Sequence, residues 1–121
     1  MATKNKVPRD WPAAWFVRAV DGDTVELIVD TGFHGRFQDK FRLAGIDAPE
    51  HAATARQALE GLMAGISDTG RAPFRIQTHK PDKYGRWLVT IPLYEDGGPL
   101  ATVNHRMIEL GFAVPYAGGS R

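Results

Sequence analysis

The chain contains no cysteine. Disulfide bonds, thiolate zinc sites and cysteine nucleophiles are therefore excluded. It also lacks any apolar run long enough to span a bilayer, so no membrane partner is expected. Neither sign of charge dominates: 15 Lys and Arg oppose 14 Asp and Glu, for a net charge of +1. That balance permits a nucleic-acid partner without announcing one. The N-terminal stretch MATKNKVPRDWP has basic residues but no apolar segment behind them that would make a signal peptide. The chain is thus read as cytosolic or as a secreted protein already processed, and a monomer is expected. The four histidines, His34, His51, His79 and His105, show no metal-ligand spacing such as H-E-x-x-H. Each reads as a surface or loop residue, with His51 set apart only because it directly follows Glu50.

What is present suits one small globular domain. There are 121 residues, 43% hydrophobic and 24% charged, and three Trp, three Tyr and six Phe give a core its bulk. Residues 1–13 read as a polar tail, kept out of regular structure by Pro8 and Pro12. The domain spans 14–116, and 117–121 form a short C-terminal tail. Ala14 to Val20, AWFVRAV, has the aromatic and β-branched content of a strand. Asp21-Gly22 makes a tight turn, because Gly tolerates positive φ. A second strand follows with Val25, Leu27 and Val29 on one face. Thr31 to Phe37 reads as a loop, and Lys40 to Ile46 as a third strand. From Ala52 to Ile66 the period changes, and Ala55, Leu59, Leu62, Met63 and Ile66 share one helical face. Pro73 to His79 and Trp87 to Tyr94 return to strand, with Pro92 marking an edge or a bulge. Val103, Met107 and Leu110 mark a short second helix that Gly111 ends. The order β-β-β-α-β-β-α, mostly β with α, is that of a five-stranded OB-fold barrel.

The organising stretch is Asp39 to Glu50, DKFRLAGIDAPE. It carries Arg42 on the strand, then Asp47 and Glu50 around Pro49, which stiffens the corner and pushes Ala48 toward an extended conformation. Two acids beside a guanidinium can bind a hard cation and an anion side by side, as metal-assisted attack on a phosphate ester requires. The same letters also suit a plain strand end and helix start, with Glu50 favoured by the helix dipole. Asp23, in D-G-D-T, either belongs to an ordinary hairpin turn or supplies a second metal carboxylate. Calcium takes carboxylates and backbone carbonyls, so Asp23, Asp47 and the carbonyl of Ala48 would form a protein half-shell. D-G-D-T also resembles the aspartyl-phosphate motif of haloacid dehalogenase-type phosphatases, but the long antiparallel meander here argues against the parallel core they need. Asp82-Lys83-Tyr84-Gly85-Arg86 is either a polar turn or a second phosphate-holding guanidinium, with Lys83 and Tyr84 placed to hold a phosphate or stack on a base.

Taken together, V-D-G-D-T-V, F-R-L-A-G-I-D-A-P-E and D-K-Y-G-R-W-L-V resemble, in order and approximate spacing, the three signature blocks of the staphylococcal nuclease-like (thermonuclease) family. The resemblance implies an OB-fold and a calcium-dependent phosphodiesterase, an endonuclease acting on DNA and/or RNA that leaves a 3′-phosphate. It assigns Asp23 and Asp47 to the metal, with the Ala48 carbonyl. Glu50 becomes the general base, Arg42 and Arg86 the phosphate-binding arginines, and Lys83 and Tyr84 the nucleotide contacts. Tyr116 stands near the place of a nucleotide-stacking tyrosine, and Asp21 is the other aspartate of the turn. Three departures stand out. Ala48 replaces a common threonine, the loop after Glu50 is short, and the prototype's C-terminal helix has no counterpart. The alternative reading is a non-catalytic module of the same fold that binds nucleic acid or a partner protein. A small phosphatase or phosphodiesterase acting on nucleotides is a further one.

Overall fold

The computed structural model describes residues 9–49, 52–81, 84–94 and 97–116. Five strands close into a barrel, namely β1 (Arg9–Asp21), β2 (Thr24–Gly32), β3 (Gly35–Leu43), β5 (Phe74–His79) and β6 (Trp87–Thr90). Around the barrel they run β1-β2-β3-β6-β5, and β5 returns to β1. All pairs are antiparallel except β3 with β6, which run parallel. Two further strands of two residues each, β4 (Ile46–Asp47) and β7 (Val114–Pro115), pair with one another beside the barrel. The helices are α1 (Ala53–Ile66) and α2 (Val103–Glu109). The architecture is mostly β, with an OB-like closed barrel. No helix among the described residues is long and apolar enough to cross a membrane.

The alternation read from the sequence is what closes the barrel. Val25, Leu27 and Val29 point inward and are buried, and so are Phe41 and Leu43 of β3, Ile76 of β5 and Val89 of β6. Ala55, Leu59 and Met63 of α1 join that core. The helix packs mainly on β1, and Glu60 Oε1 accepts the backbone N–H of Ala19 at 2.9 Å. At the end of α2, Gly111 takes φ +85°, Phe112 donates to the Met107 carbonyl and Gly111 to that of Ile108. This is the left-handed closure expected of a glycine after a helix.

Four expectations need correction. The first strand starts at Arg9, within the stretch read as a tail, and Pro12 lies inside it. The pairing of β1 with β5 slips between Trp11 and Ala14, and this bulge accommodates a residue that has no N–H to give the ladder. The loop expected over Thr31 to Phe37 is a two-residue turn, since Gly32 pairs with Gly35 and Phe33 and His34 both take positive φ, 54° and 64°. The third strand ends at Leu43, because Gly45 at φ +79° turns the chain before Ile46. The last barrel strand ends at Thr90, and Pro92 makes only an isolated bridge to Thr102.

Candidate functional site

Arg42 sits near the end of β3, paired with Thr24 of β2 on one side and Leu88 of β6 on the other. Its neighbours Phe41 and Leu43 point into the core, so alternation sends Arg42 to the outer face. It is nonetheless buried, with 10% of its side chain exposed. The turn at Ala44-Gly45 explains this, because it folds Ile46 and Asp47 back over the guanidinium. Nη2 of Arg42 donates to the Ile46 carbonyl at 3.0 Å and to Asp47 Oδ1 at 2.9 Å. The same nitrogen lies 3.5 Å from Asp23 Oδ2. One guanidinium nitrogen therefore stands between the two carboxylates.

Asp23 reaches this point from the β1–β2 turn. Its own carbonyl accepts the Leu43 N–H at 2.8 Å, which locks the turn to the end of β3. Its carboxylate accepts from Ala48 N at 3.0 Å and from the Thr24 hydroxyl at 3.0 Å. Gly22, beside it, is not in the left-handed region. Glycine is required there by space, because a Cβ would stand 2.6 Å from that of Ala55 and 2.9 Å from that of Ala48. The turn thus presses directly on α1 and on the segment that carries Asp47. The two carboxylates differ in environment: 13% of the Asp23 side chain is exposed against 45% for Asp47.

Tyr116 closes the cluster from the C-terminal side. The β4–β7 pairing brings the chain past Gly45, and the Tyr116 N–H donates to the Gly45 carbonyl at 2.8 Å. Its ring lies over the Arg42 guanidinium, 5.0 Å from centroid to Cζ, within range for a cation–π contact. Arg86 follows Gly85 at φ +81°, two residues before the Leu88 that pairs with Arg42, and its guanidinium lies 5.3 Å from the Tyr84 ring centroid. Glu50 and Lys83 lie outside the described residues. The structure therefore brings together Asp23, Arg42, Asp47, Ala48 and Tyr116, and sets Tyr84 beside Arg86.

Sequence reading missed Asn104. This buried residue of α2 accepts the Ile91 N–H at 3.1 Å and donates to the carbonyls of Ala44 and Val89, both at 2.9 Å. It fixes the turn that folds Asp47 onto Arg42. Its signal was an asparagine inside the first turn of a helix, where its side chain competes with the backbone unless it has another duty.

The donor chemistry suits a hard cation, since two carboxylates bring oxygens, and Asp23 Oδ1 and Asp47 Oδ1 each carry one hydrogen bond and keep a further lone pair. Among the described residues, no group of three or more His, Cys, Asp or Glu gathers to hold a metal. Arg42 occupies the position between the two acids, so a bound cation and the guanidinium would compete for the same oxygens. No family model matches the chain, and no curated protein matches it. Fold and cluster together define an OB-like barrel with a carboxylate–guanidinium site at the end of its third strand.

Proposed function

We propose that this cluster is the phosphate-cleaving site of a calcium-dependent nuclease acting on DNA and/or RNA. The observation that carries the reading is the shared Arg42 nitrogen, 2.9 Å from Asp47 and 3.5 Å from Asp23. It joins residues 24 positions apart, Asp23 and Asp47, in the two sequence blocks whose resemblance implied this chemistry. Asp23 and Asp47, with the Ala48 carbonyl, would hold calcium, which would polarise a phosphate oxygen and offset its charge. Arg42 then turns from the carboxylates to the phosphate, and Arg86 joins it, holding the anion and stabilising the charge added in the transition state. Glu50 takes a proton from the attacking water. The water oxygen bonds to phosphorus, the P–O5′ bond breaks, and the 5′-oxygen leaves as a hydroxyl after protonation from solvent. A 3′-phosphate remains. Lys83, Tyr84 and Tyr116 hold the adjoining nucleotide, Tyr116 by leaving or sharing its contact with Arg42.

One observation favours a second reading. Arg42 already donates to Asp47 and the Ile46 carbonyl and stands within ion-pair range of Asp23, as a structural ion cluster in a non-catalytic binding module would. The deciding experiment is cleavage of single-stranded DNA with calcium and with a chelator. The nuclease reading expects cleavage with calcium only, and a loss of ~10²- to 10⁴-fold in rate for Glu50→Gln with the fold retained. Binding of the strand without cleavage under any metal condition supports the module.

A further inference from the structure

The end of the barrel away from α1 is open, and it holds a cavity of about 280 Å³ lined by Trp11, Val29, Thr31, Phe37, Phe41, Thr78 and Trp87. All five barrel strands contribute, and none of these residues belongs to the carboxylate–guanidinium cluster. Its polar side-chain groups are few: the Trp11 indole N–H, which donates to the Thr78 hydroxyl at 2.9 Å, and the Thr31 hydroxyl. The other lining side chains are aliphatic or aromatic, so a charged or many-hydroxyl ligand would find few partners there. The cavity suits a hydrocarbon or an aromatic ring.

A ring of that kind stands on the same rim. Phe33 is at the tip of the β2–β3 hairpin, two residues from Thr31 and four from Phe37, and is fully exposed. It occupies a turn position with φ 54°, followed by His34 at 64°. Such turns favour Asn-Gly, and a bulky residue at positive φ is strained. A phenylalanine held there, strained and fully hydrated, is disfavoured twice over in the isolated chain. Its ring does not line the neighbouring cavity.

We propose that Phe33 of one copy of this chain seats in the barrel mouth of a second copy, and the reverse, in a two-fold symmetric dimer. Knob and hole lie on the same hairpin and the same rim, as a self-complementary interface requires. Phe37 and Trp87, both partly exposed at the mouth, would be covered as well. Charge does not oppose the pairing. Asp30 and Asp39 balance Arg36 and Lys40 along the hairpin, and the whole chain carries only +1. Near-neutral chains associate more readily than highly charged ones. The contact is small, so the dimer is weak, as transient interfaces below the standard size are. This replaces the monomer expected from the sequence and does not depend on the nuclease reading.

Sedimentation velocity across a concentration series tests it, with tryptophan emission as a second readout, since Trp11 and Trp87 line the cavity. The parent protein is expected to shift from monomer to dimer with rising concentration, and its emission to move to the blue. Phe33→Asn suits the turn, so it should fold at least as well as the parent by thermal melt. It should also remain monomeric throughout, with at least a tenfold weaker association and no change in emission. A parent that stays monomeric up to ~1 mM, where a pairing of even about −4 kcal/mol would be half formed, overturns the proposal. So does a Phe33→Asn protein that still dimerises like the parent, which would place any interface elsewhere.

Discussion

Replacing Arg42 with methionine separates the two demands on this residue. Methionine keeps much of the side-chain volume and removes the charge. In the parent, Nη2 donates to Asp47 Oδ1 at 2.9 Å and to the Ile46 carbonyl at 3.0 Å, and stands 3.5 Å from Asp23 Oδ2. Asp47 is 45% exposed on its side chain and can turn to water, so its share of the loss is small, ~0–1 kcal/mol. Asp23 has only 13% exposure and would keep its hydrogen bonds to Ala48 N and Thr24 while losing its counter-charge. Removing one partner of a buried ion pair costs ~3–5 kcal/mol, against a total stability of ~5–15 kcal/mol for a domain of this kind. Urea unfolding in a calcium-free buffer should therefore show a loss of about 3–5 kcal/mol for Arg42→Met, while Asp47→Asn loses far less. Calcium provides the second half of the test. If it binds the same oxygens, it should raise the stability of Arg42→Met more than that of the parent, because its competitor is gone. A site occupied at a hundredfold excess over the dissociation constant gains ~2.7 kcal/mol. A variant that loses under ~1 kcal/mol, the range of an exposed pair, would refute the buried-pair argument. Equal calcium responses in parent and variant would refute the competition.

Asn104→Leu should destabilise the fold by ~3 kcal/mol or more, since it strands the Ile91 N–H and takes donors from the Ala44 and Val89 carbonyls; chemical denaturation measures this. Gly22→Ala should cost ~1–3 kcal/mol through overpacking against Ala55 and Ala48, and under the nuclease reading should lower activity too, because the same turn carries Asp23. Burial holds the His79 ring, 2.8 Å from the Thr90 hydroxyl, below its usual pKa of 6.5. The unfolded chain then binds the proton more readily than the folded one, so stability is full above about pH 6.5 and falls as the pH drops toward the lowered folded value. His79→Gln should flatten that part of a stability–pH curve, and an unchanged slope between pH 7 and 5 would show that His79 is not its source.

The core was legible because it follows simple periods. Val25, Leu27 and Val29 alternate, Ala55, Leu59 and Met63 recur at helical spacing, and the structure buries all six. Turns and strand ends were less so. Phe33-His34 is a poor sequence for a turn with two positive φ values, so nothing in the letters announces the tight hairpin. Pro12 argued against a strand, and only the slip between Trp11 and Ala14 explains how it is accommodated. Gly22 was rightly singled out but for the wrong physical reason, since its role depends on Ala48 and Ala55, which are distant in sequence. The same holds for the site. Residue types pointed to Asp23, Arg42 and Asp47, yet the detail that one guanidinium nitrogen serves both acids is set by the turn at Gly45 and the anchor at Asn104.

That detail shapes how the cluster can work. Two acids brought together without a cation would repel, so a fold that keeps them close needs a built-in counter-charge. Arg42 provides it, and its cover by Tyr116 keeps the guanidinium largely out of water. An arginine that neutralises carboxylates cannot at the same moment grip a phosphate with the same nitrogen. Under the nuclease reading, the resting state thus holds itself together with the group that it needs for binding. Metal entering between Asp23 and Asp47 would release Arg42 toward an anion, and an anion drawing Arg42 away would open the acids to metal. The two ligands would then favour one another through a single side chain, and that coupling would keep the site closed until both are present. A purely structural ion cluster has no reason for such reciprocity, because its guanidinium has nowhere better to go.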